Sequence, residues 1–210
     1  MTVMLERPTA IDVPFGTARF RKLCRTLLSM EVPDGYRAEI VGGNIVMSPW
    51  SKGYYLPVMQ SLRTQLGPHL PPGHTVDHAP FLFAFPGVER AYGPDVFVAD
   101  MAAFRTRKRY IDGDALSFVA ELTSDSTREV DWNDKVSVYG RCGVPVYLLL
   151  DMREQAATVF WRPSERGYNA RLTTPFGEPL RIPEPFGCDL DTSEFKTSAE
   201  EGGEPDGAED

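Results

Sequence analysis

Apolar residues at helical spacing predict three helices in this chain. Each segment carries hydrophobic side chains every three or four residues, which is typical of a helix with one buried face. Thr17 can cap the first helix, Pro57 is tolerated in the first turn of the second, and Gly143 lies just past the end of the third. The segments are residues 17–30 with Phe20, Leu23, Leu27 and Leu28, residues 55–66 with Val58, Leu62 and Leu66, and residues 129–142.

Alternating or continuous apolar runs predict strands around these helices. Gly42-Gly43-Asn44 separates two short apolar segments and predicts a β-hairpin over residues 36–47. Residues 146–150 are almost wholly apolar, as expected of a strand buried on both faces. The order of elements predicts an α/β (α+β) fold, with a central mixed β-sheet flanked by helices. Further strands are expected at residues 74–85, kinked at Pro80, at the segments carrying Asp95 and Glu121, and at residues 157–161, 168–172 and 180–182.

Length and charge divide the chain into three parts. Its 210 residues suit one domain with a hydrophobic core, which we place at residues 17–192. Residues 1–16 are expected to form an extended arm. Residues 193–210 are expected to be an acidic, disordered tail, since they contribute −6 of the net charge of −8. The remaining part is nearly neutral, so charge alone neither favours nor excludes a nucleic-acid partner.

Cysteine usage and hydropathy predict a cytoplasmic protein. Cys24, Cys142 and Cys188 are odd in number and widely spaced, which argues against a disulfide framework and against a zinc site. The first residues lack a basic segment followed by an apolar one, so we expect no secretory signal. No apolar run reaches the roughly 18 to 20 residues that a membrane span requires. We therefore expect no membrane partner.

Two acidic residues in apolar strands are the strongest chemical signal. Asp95 begins one predicted strand, and Glu121 lies inside the apolar run 117–123. A buried carboxylate is costly unless it is paired, protonated or bound to a cation. If Asp95 and Glu121 share a face of adjacent strands, a divalent cation would offset their repulsion. Oxygen ligands with room for water suit Mg²⁺ or Mn²⁺.

Each of these acids, and two further charged residues, Glu39 and Lys135, also has an ordinary structural interpretation. Asp95 could cap a loop end and face solvent, and Glu121 could form a buried ion pair. Glu39, in the predicted hairpin, could be an exposed strand residue. Lys135 could be a surface lysine that pairs weakly with Asp131 one helical turn away. The residues alone leave these alternatives open.

Several short motifs, taken together, resemble the PD-(D/E)XK nuclease superfamily. Within it, the chain is similar to the bacterial Uma-type putative restriction endonucleases over about residues 36–161. The motifs are Ala38-Glu39-Ile40-Val41-Gly42-Gly43 followed by Ser48-Pro49, Gly93-Pro94-Asp95, Val119-Ala120-Glu121-Leu122-Thr123 with Ser124 to Thr127, and Lys135-x-x-x-Tyr139-x-x-x-Gly143-Val144-Pro145-x-Tyr147.

The resemblance implies an endonuclease that hydrolyses phosphodiester bonds with Mg²⁺ or Mn²⁺. Asp95 and Glu121 would hold the metal, Glu39 would assist, and Lys135 would supply positive charge. The implied partner is nucleic acid, DNA rather than RNA. The superfamily usually places its lysine two residues after the acid, where this chain has Thr123, so the resemblance transfers that role to Lys135.

Other features leave alternatives open. Many relatives have a histidine after the Ser-Pro motif, where this chain has Tyr54, so a catalytically silent binding or assembly module is the main alternative. We also weigh a structural domain in which Glu121 and Lys135 form a buried ion pair. The three histidines are expected to be ordinary polar residues, and the basic cluster at residues 105–109 either contacts a nucleic-acid backbone or is solvated. A homodimer is suggested by aromatic residues expected to be exposed near the arm, Phe15, Phe20 and Trp50.

Overall fold

The structure is a computed structural model that describes residues 12–123 and 127–196. Most of the predicted arm, most of the predicted tail and the centre of the Ser/Thr-rich turn lie outside the described residues. The helices are α1 (Ala18–Ser29), α2 (Leu56–Leu66) and α3, which joins Arg128–Val130 to Val136–Arg141 through a π-helical turn at Asp131–Lys135. The strands are β1 (Tyr36–Val41), β2 (Asn44–Pro49), β3 (His74–Asp77), β4 (Phe83–Phe85), β5 (Arg90–Tyr92), β6 (Val96–Asp100), β7 (Ile111–Asp112), β8 (Leu116–Thr123), β9 (Val146–Asp151), β10 (Ala156–Ser164), β11 (Gly167–Pro175), β12 (Leu180–Ile182) and β13 (Cys188–Leu190).

The strands form two main sheets, in agreement with the predicted mixed α+β class. The larger sheet has the order β11-β10-β9-β8-β6-β3, in which β8 and β9 are parallel and the other neighbours are antiparallel. The smaller sheet has the order β2-β1-β5-β4-β7, and β12 pairs with β13. Parallel pairing of β8 and β9 requires a crossover connection, and α3 lies in that connection.

The two sheets and the helices pack in layers. Alternate residues of β8 face opposite sides: Phe118 packs in the cluster that contains Leu62 of α2, whereas Val119 packs in the cluster that contains Tyr139 of α3. The smaller sheet contributes Tyr92 to that second cluster. Helix α1 covers the other face of the smaller sheet, where Phe20 packs in one cluster with residues of β1, β4 and β5. The space between the two sheets is therefore closed by α3.

Helix α1 agrees closely with its prediction. Thr17 caps it, since its hydroxyl accepts a hydrogen bond from the Phe20 amide. The expectation that Phe20 is exposed was wrong, because Phe20 is fully buried beneath the helix. Phe15 and Trp50 are exposed as expected. A hydrophobic residue on the buried stripe of an amphipathic helix is not available for a dimer contact.

The single kinked strand predicted at residues 74–85 is two strands in different sheets. β3 pairs with β6 in the larger sheet, and β4 pairs with β5 and β7 in the smaller one. Pro80 lies between them, and a proline cannot donate a hydrogen bond to a strand ladder. The chain therefore passes from one sheet to the other at this point. In the part of the chain that the structure describes, no helix is long and apolar enough to cross a membrane.

Candidate metal centre

The four predicted site residues converge between the two sheets. Glu39 lies on β1, Asp95 immediately precedes β6, Glu121 lies on β8, and Lys135 ends the π-helical turn of α3. Each is at most 5% exposed. The exposed alternatives considered for Asp95, Glu39 and Lys135 therefore do not hold. Strand alternation explains the placement of Glu39, since its neighbour Ile40 packs on the opposite face against α1.

Lys135 is the cation at the centre of the cluster. Its Nζ lies 2.9 Å from Asp131 Oδ1, 3.0 Å from Glu121 Oε1 and 3.8 Å from Glu39 Oε2. Burial lowers the pKa of Lys135, but the carboxylates of Asp131, Glu121 and Glu39 outweigh burial and raise that pKa well above its ordinary value. Lys135 is therefore charged at neutral pH. Lys135 does pair with Asp131, but the pair lies in the protein interior and not on the surface.

Glu121 has more charge around it than one lysine offsets. Burial raises the pKa of Glu121 to about 8; Lys135 opposes the rise, and Asp95, Asp131 and Glu39 add to it. The Tyr139 hydroxyl donates a hydrogen bond of 3.1 Å to Glu121 Oε1. Tyr139 and Lys135 both come from α3, so this helix supplies both partners of the acid.

Asp95 is held by a separate set of donors. Arg37 Nη1 donates to Asp95 Oδ1 at 3.0 Å, and the Ser51 hydroxyl donates to the same oxygen at 3.1 Å. The backbone amide of Leu122 donates to Asp95 Oδ2 at 2.8 Å. This last contact ties Asp95 to the strand that carries Glu121. It also explains why a carboxylate is tolerated at the start of a buried strand.

Arg37 is a site residue that sequence reasoning missed. It lies two positions before Glu39 on β1, so alternation places both side chains on the same face. Burial lowers the pKa of Arg37, but the carboxylates of Asp95, Glu39 and Glu121 outweigh burial. The pKa of Arg37 is therefore raised above its ordinary value. Arg37 Nη1 also donates to the Gly93 carbonyl at 3.0 Å, while the Gly93 amide donates to Glu39 Oε1 at 2.6 Å. The signal in the sequence was the two-residue spacing of Arg37 and Glu39, which places both side chains on the same face of β1.

A second ion pair fixes the turn that carries Lys135. Arg90 binds Asp134 through two hydrogen bonds, with Nε at 3.0 Å and Nη2 at 3.1 Å from its carboxylate oxygens. The Tyr92 hydroxyl donates to Asp134 Oδ2 at 2.7 Å. Asp134 precedes Lys135, so β5 of the smaller sheet anchors the π-helical turn. A π-helical turn inside an α-helix is often found at a functional site.

Two cavities reach the cluster, and Glu39 lines both of them. The larger has a volume of about 330 Å³ and is lined by Arg37, Glu39, Ser51 and Asp95, with Trp50 and Phe81 among its apolar walls. The smaller has a volume of about 80 Å³. Its lining includes Glu39, Asp131 and Lys135. The cluster is thus buried but open to a ligand on the Asp95 side.

The described residues contain no group of three or more His, Cys, Asp or Glu side chains arranged to hold a metal ion. The ammonium of Lys135 lies among the carboxylates instead, in contact with Glu121 and Asp131. The oxygen donors nevertheless match a hard cation. With all groups ionised, the carboxylates of Glu39, Asp95, Glu121 and Asp131 outnumber the cations Arg37 and Lys135 by two.

Comparison with known proteins identifies a family and related solved structures. The profile of the family Uma2, described as "Putative restriction endonuclease", matches residues 19–193. A crystal structure described as that of "a putative nuclease belonging to DUF820 from Anabaena variabilis ATCC 29413" is similar with a TM-score of 0.62 and 16% sequence identity. The alignment covers 82% of this chain and 96% of that chain, and at this identity it shows a shared fold. No curated protein matches.

Proposed function

Since this chain belongs to the Uma2 family of putative restriction endonucleases, we propose that it is an endonuclease that hydrolyses phosphodiester bonds of nucleic acid, DNA rather than RNA, with Mg²⁺ or Mn²⁺. Glu39, Asp95, Glu121 and Lys135 form its catalytic centre. Membership of this family supports a nuclease. The choice of metal, the choice of DNA as substrate and the roles of the individual residues are proposals that go beyond family membership.

The observation that carries the proposal is the buried excess of negative charge beside an open cavity. Burial raises the pKa of Glu121 to about 8, and the neighbouring carboxylates add to that rise. A fold does not gain stability from a carboxylate in such a place. A divalent cation that displaced the Lys135 ammonium from Glu121 would favour the ionised form of Glu121 and offset the surplus charge, and the oxygen donors suit the metal that the family implies. Perturbed acids that line a cavity are also typical of functional sites.

Asp95, Glu121 and Glu39 would hold the metal. Bound there, the metal would polarise the phosphate and generate hydroxide from water. The rest of the work belongs to the chain. Arg37 fixes the orientation of Asp95 through its 3.0 Å hydrogen bond, and Tyr139 fixes Glu121. Lys135 would stabilise the negative charge that develops on the phosphoryl oxygens, after its ammonium leaves the contact with Glu121.

A catalytically silent module is the second candidate, and one observation favours it. The Lys135 ammonium lies 3.0 Å from Glu121 and 2.9 Å from Asp131. It therefore neutralises carboxylate charge that a metal ion would otherwise neutralise. Calorimetric titration with Mn²⁺ separates the two candidates. A nuclease binds the ion and releases heat that Asp95→Asn removes, whereas a silent module gives no such heat.

The direct test is metal-dependent cleavage of plasmid DNA. Asp95→Asn and Glu121→Gln are expected to reduce the cleavage rate by at least about a thousandfold, because each removes a charge that holds the metal. Asp189→Asn is the control for loss of a carboxylate, since Asp189 pairs with Arg181 at 3.4 Å in the separate β12–β13 sheet. Cleavage by both site variants at the rate of the control would overturn the proposal.

A further inference from the structure

Helix α1 and residues 105–109 form one basic surface although about 80 positions separate them in the chain. We define the basic ridge as Arg21, Lys22 and Arg25 of α1 together with Arg105 and Arg107. All five side chains are exposed. Among the described residues, none of the five takes part in an ion pair. Within the part of the chain that the structure describes, these surface charges are therefore not compensated by ion pairs.

Two contacts hold the parts of the basic ridge together. Arg109 Nη1 donates a hydrogen bond of 3.3 Å to the carbonyl of Leu28, near the end of α1. Tyr110 is buried in the same cluster as Phe20 and Cys24 of that helix. Because Tyr110 anchors the end of the segment that carries Arg105 and Arg107, these charges stay beside α1. The basic ridge is a feature of the fold.

The charge of the basic ridge contrasts with that of the chain. Residues 18–30 and 101–111 contain no acidic residue, whereas the whole protein has a net charge of −8. Acidic residues near this region interact with basic residues beside the basic ridge. Glu89 lies 3.8 Å from Arg19, and Asp12 and Asp112 interact electrostatically with Lys108. Like charges held within a Debye length of about 10 Å repel one another. A polyanion would relieve that repulsion.

The basic ridge reaches the larger cavity of the candidate metal centre. Phe104 directly precedes Arg105, and its ring packs against Phe81 with the ring centroids 5.0 Å apart. Phe81 lines the same cavity as Asp95. Phe81 and Phe104 therefore connect the cavity that Asp95 lines to Arg105 of the basic ridge.

We propose that the basic ridge binds the phosphate backbone of a nucleic acid whose cleaved strand enters the cavity beside Asp95. The ridge consists of exposed cations, and contacts to phosphate carry no sequence information, so we expect this contact to be independent of sequence. Each phosphate that it neutralises releases condensed counterions, which makes binding depend on salt. The entry of the strand into the cavity rests on the proposed nuclease function, while binding to the basic ridge does not.

The test measures binding of a fluorescent 30-base-pair DNA duplex without divalent metal, by anisotropy over a series of salt concentrations. Arg21→Gln, Arg105→Gln and Arg107→Gln are combined in one variant. The control combines Arg63→Gln, Arg166→Gln and Arg171→Gln, three exposed arginines elsewhere on the surface with the same loss of charge. The basic-ridge variant is expected to bind at least about tenfold more weakly at 0.1 M salt. Its slope of log affinity against log salt should fall by about 3, while the control slope changes by less than about 1.

Three outcomes would overturn the basic ridge as a binding surface. These are wild-type affinity in the basic-ridge variant, equal losses in the two variants, and basic-ridge-dependent binding to phosphatidylserine vesicles without binding to duplex DNA. Asp95→Asn, measured in parallel, is expected to bind the duplex at least as tightly as the wild type, since it removes a negative charge. If the basic ridge binds DNA but the wild type does not cleave it with Mg²⁺ or Mn²⁺, the basic ridge stands and the nuclease proposal fails.

Discussion

Lys135 and Glu121 form a buried ion pair, with 3.0 Å between Nζ and Oε1 and at most 2% of either side chain exposed. Removing both charges from water is expensive, and the pair repays that cost only through close geometry and additional partners. Here the additional partners are Asp131 for the lysine and the Tyr139 hydroxyl for the glutamate. The pair is thus part of a buried network of charges and hydrogen bonds.

Replacing Lys135 by methionine is expected to destabilise the fold. The change keeps the length of the side chain but leaves the carboxylates of Glu121 and Asp131 without their buried cation. Loss of one partner of a buried pair costs about 3 to 5 kcal/mol of the free energy of unfolding, which urea denaturation measures. Mn²⁺ should restore part of that stability, because an ion bound only by the folded state stabilises it. Lys22→Met, on the exposed face of α1, should change stability by less than about 0.5 kcal/mol.

The stability of the protein is expected to fall as pH rises from about 5 to 8, in part through Glu121. Burial raises the folded-state pKa of Glu121 to about 8. The folded state therefore keeps a proton that the unfolded state has lost, so this contribution is complete below the unfolded pKa and is lost as pH rises through the folded pKa. Glu121→Gln removes the titrating group. The free energy of unfolding of the variant should depend less on pH over this range; parallel pH profiles for the two proteins would contradict the assignment.

Asp95 and Glu121 could be singled out from the sequence because each is a charge in or beside an apolar strand, whereas Glu39 and Lys135 became candidates through the family resemblance. Glu121 interrupts the apolar strand β8, and Glu39 lies in the hairpin strand β1. Their convergence could not be derived from spacing, because it depends on how two sheets pack. Arg37 shows the limit most clearly. Its face of β1 followed from alternation, but pairing with Asp95 joins positions 58 residues apart.

Short strands account for most of what the sequence did not predict. β5 has three residues and β7 has two, so neither contains enough positions to show a period. They exist because β4 lies between them and supplies hydrogen-bond partners. The same dependence on partners divides residues 74–85 between two sheets, which a local pattern around Pro80 does not specify.

Replacing Arg37 tests whether Asp95 needs a charge or a fixed orientation. Arg37→Met removes the cation beside a buried carboxylate and is expected to destabilise the protein by about 3 kcal/mol. Arg37→Lys keeps the charge but not the geometry of a guanidinium that bonds both Asp95 and Gly93. We expect the lysine variant to retain most of the stability and to lose metal-dependent cleavage, measured as an initial rate. Arg171→Met, at an exposed position on β11, is the control for loss of an arginine.

Gly140 is expected to set the distance between α3 and the hairpin β10–β11. A Cβ at this position would lie 2.3 Å from the carbonyl carbon of Gly167, which is backbone and cannot turn aside. Gly140→Ala should therefore push α3 outward and cost at least about 1 to 3 kcal/mol in urea denaturation. Because α3 carries both Tyr139 and Lys135, the shift should also weaken their contacts with Glu121.

Gly87→Ala distinguishes this packing effect from the loss of any glycine. Gly87 lies in the 3-10 turn Pro86–Val88, outside the left-handed backbone region, and an added Cβ would meet no atom within 4 Å beyond its chain neighbours. The alanine variant should be as stable as the wild type or up to about 1 kcal/mol more stable, since it restricts the unfolded chain. If Gly140→Ala behaves in the same way and cleaves DNA at the wild-type rate, α3 does not position the catalytic centre by close contact with the hairpin. A loss of cleavage in Gly140→Ala at a temperature where the variant is still folded would instead mean that the position of the helix itself governs the geometry around Glu121.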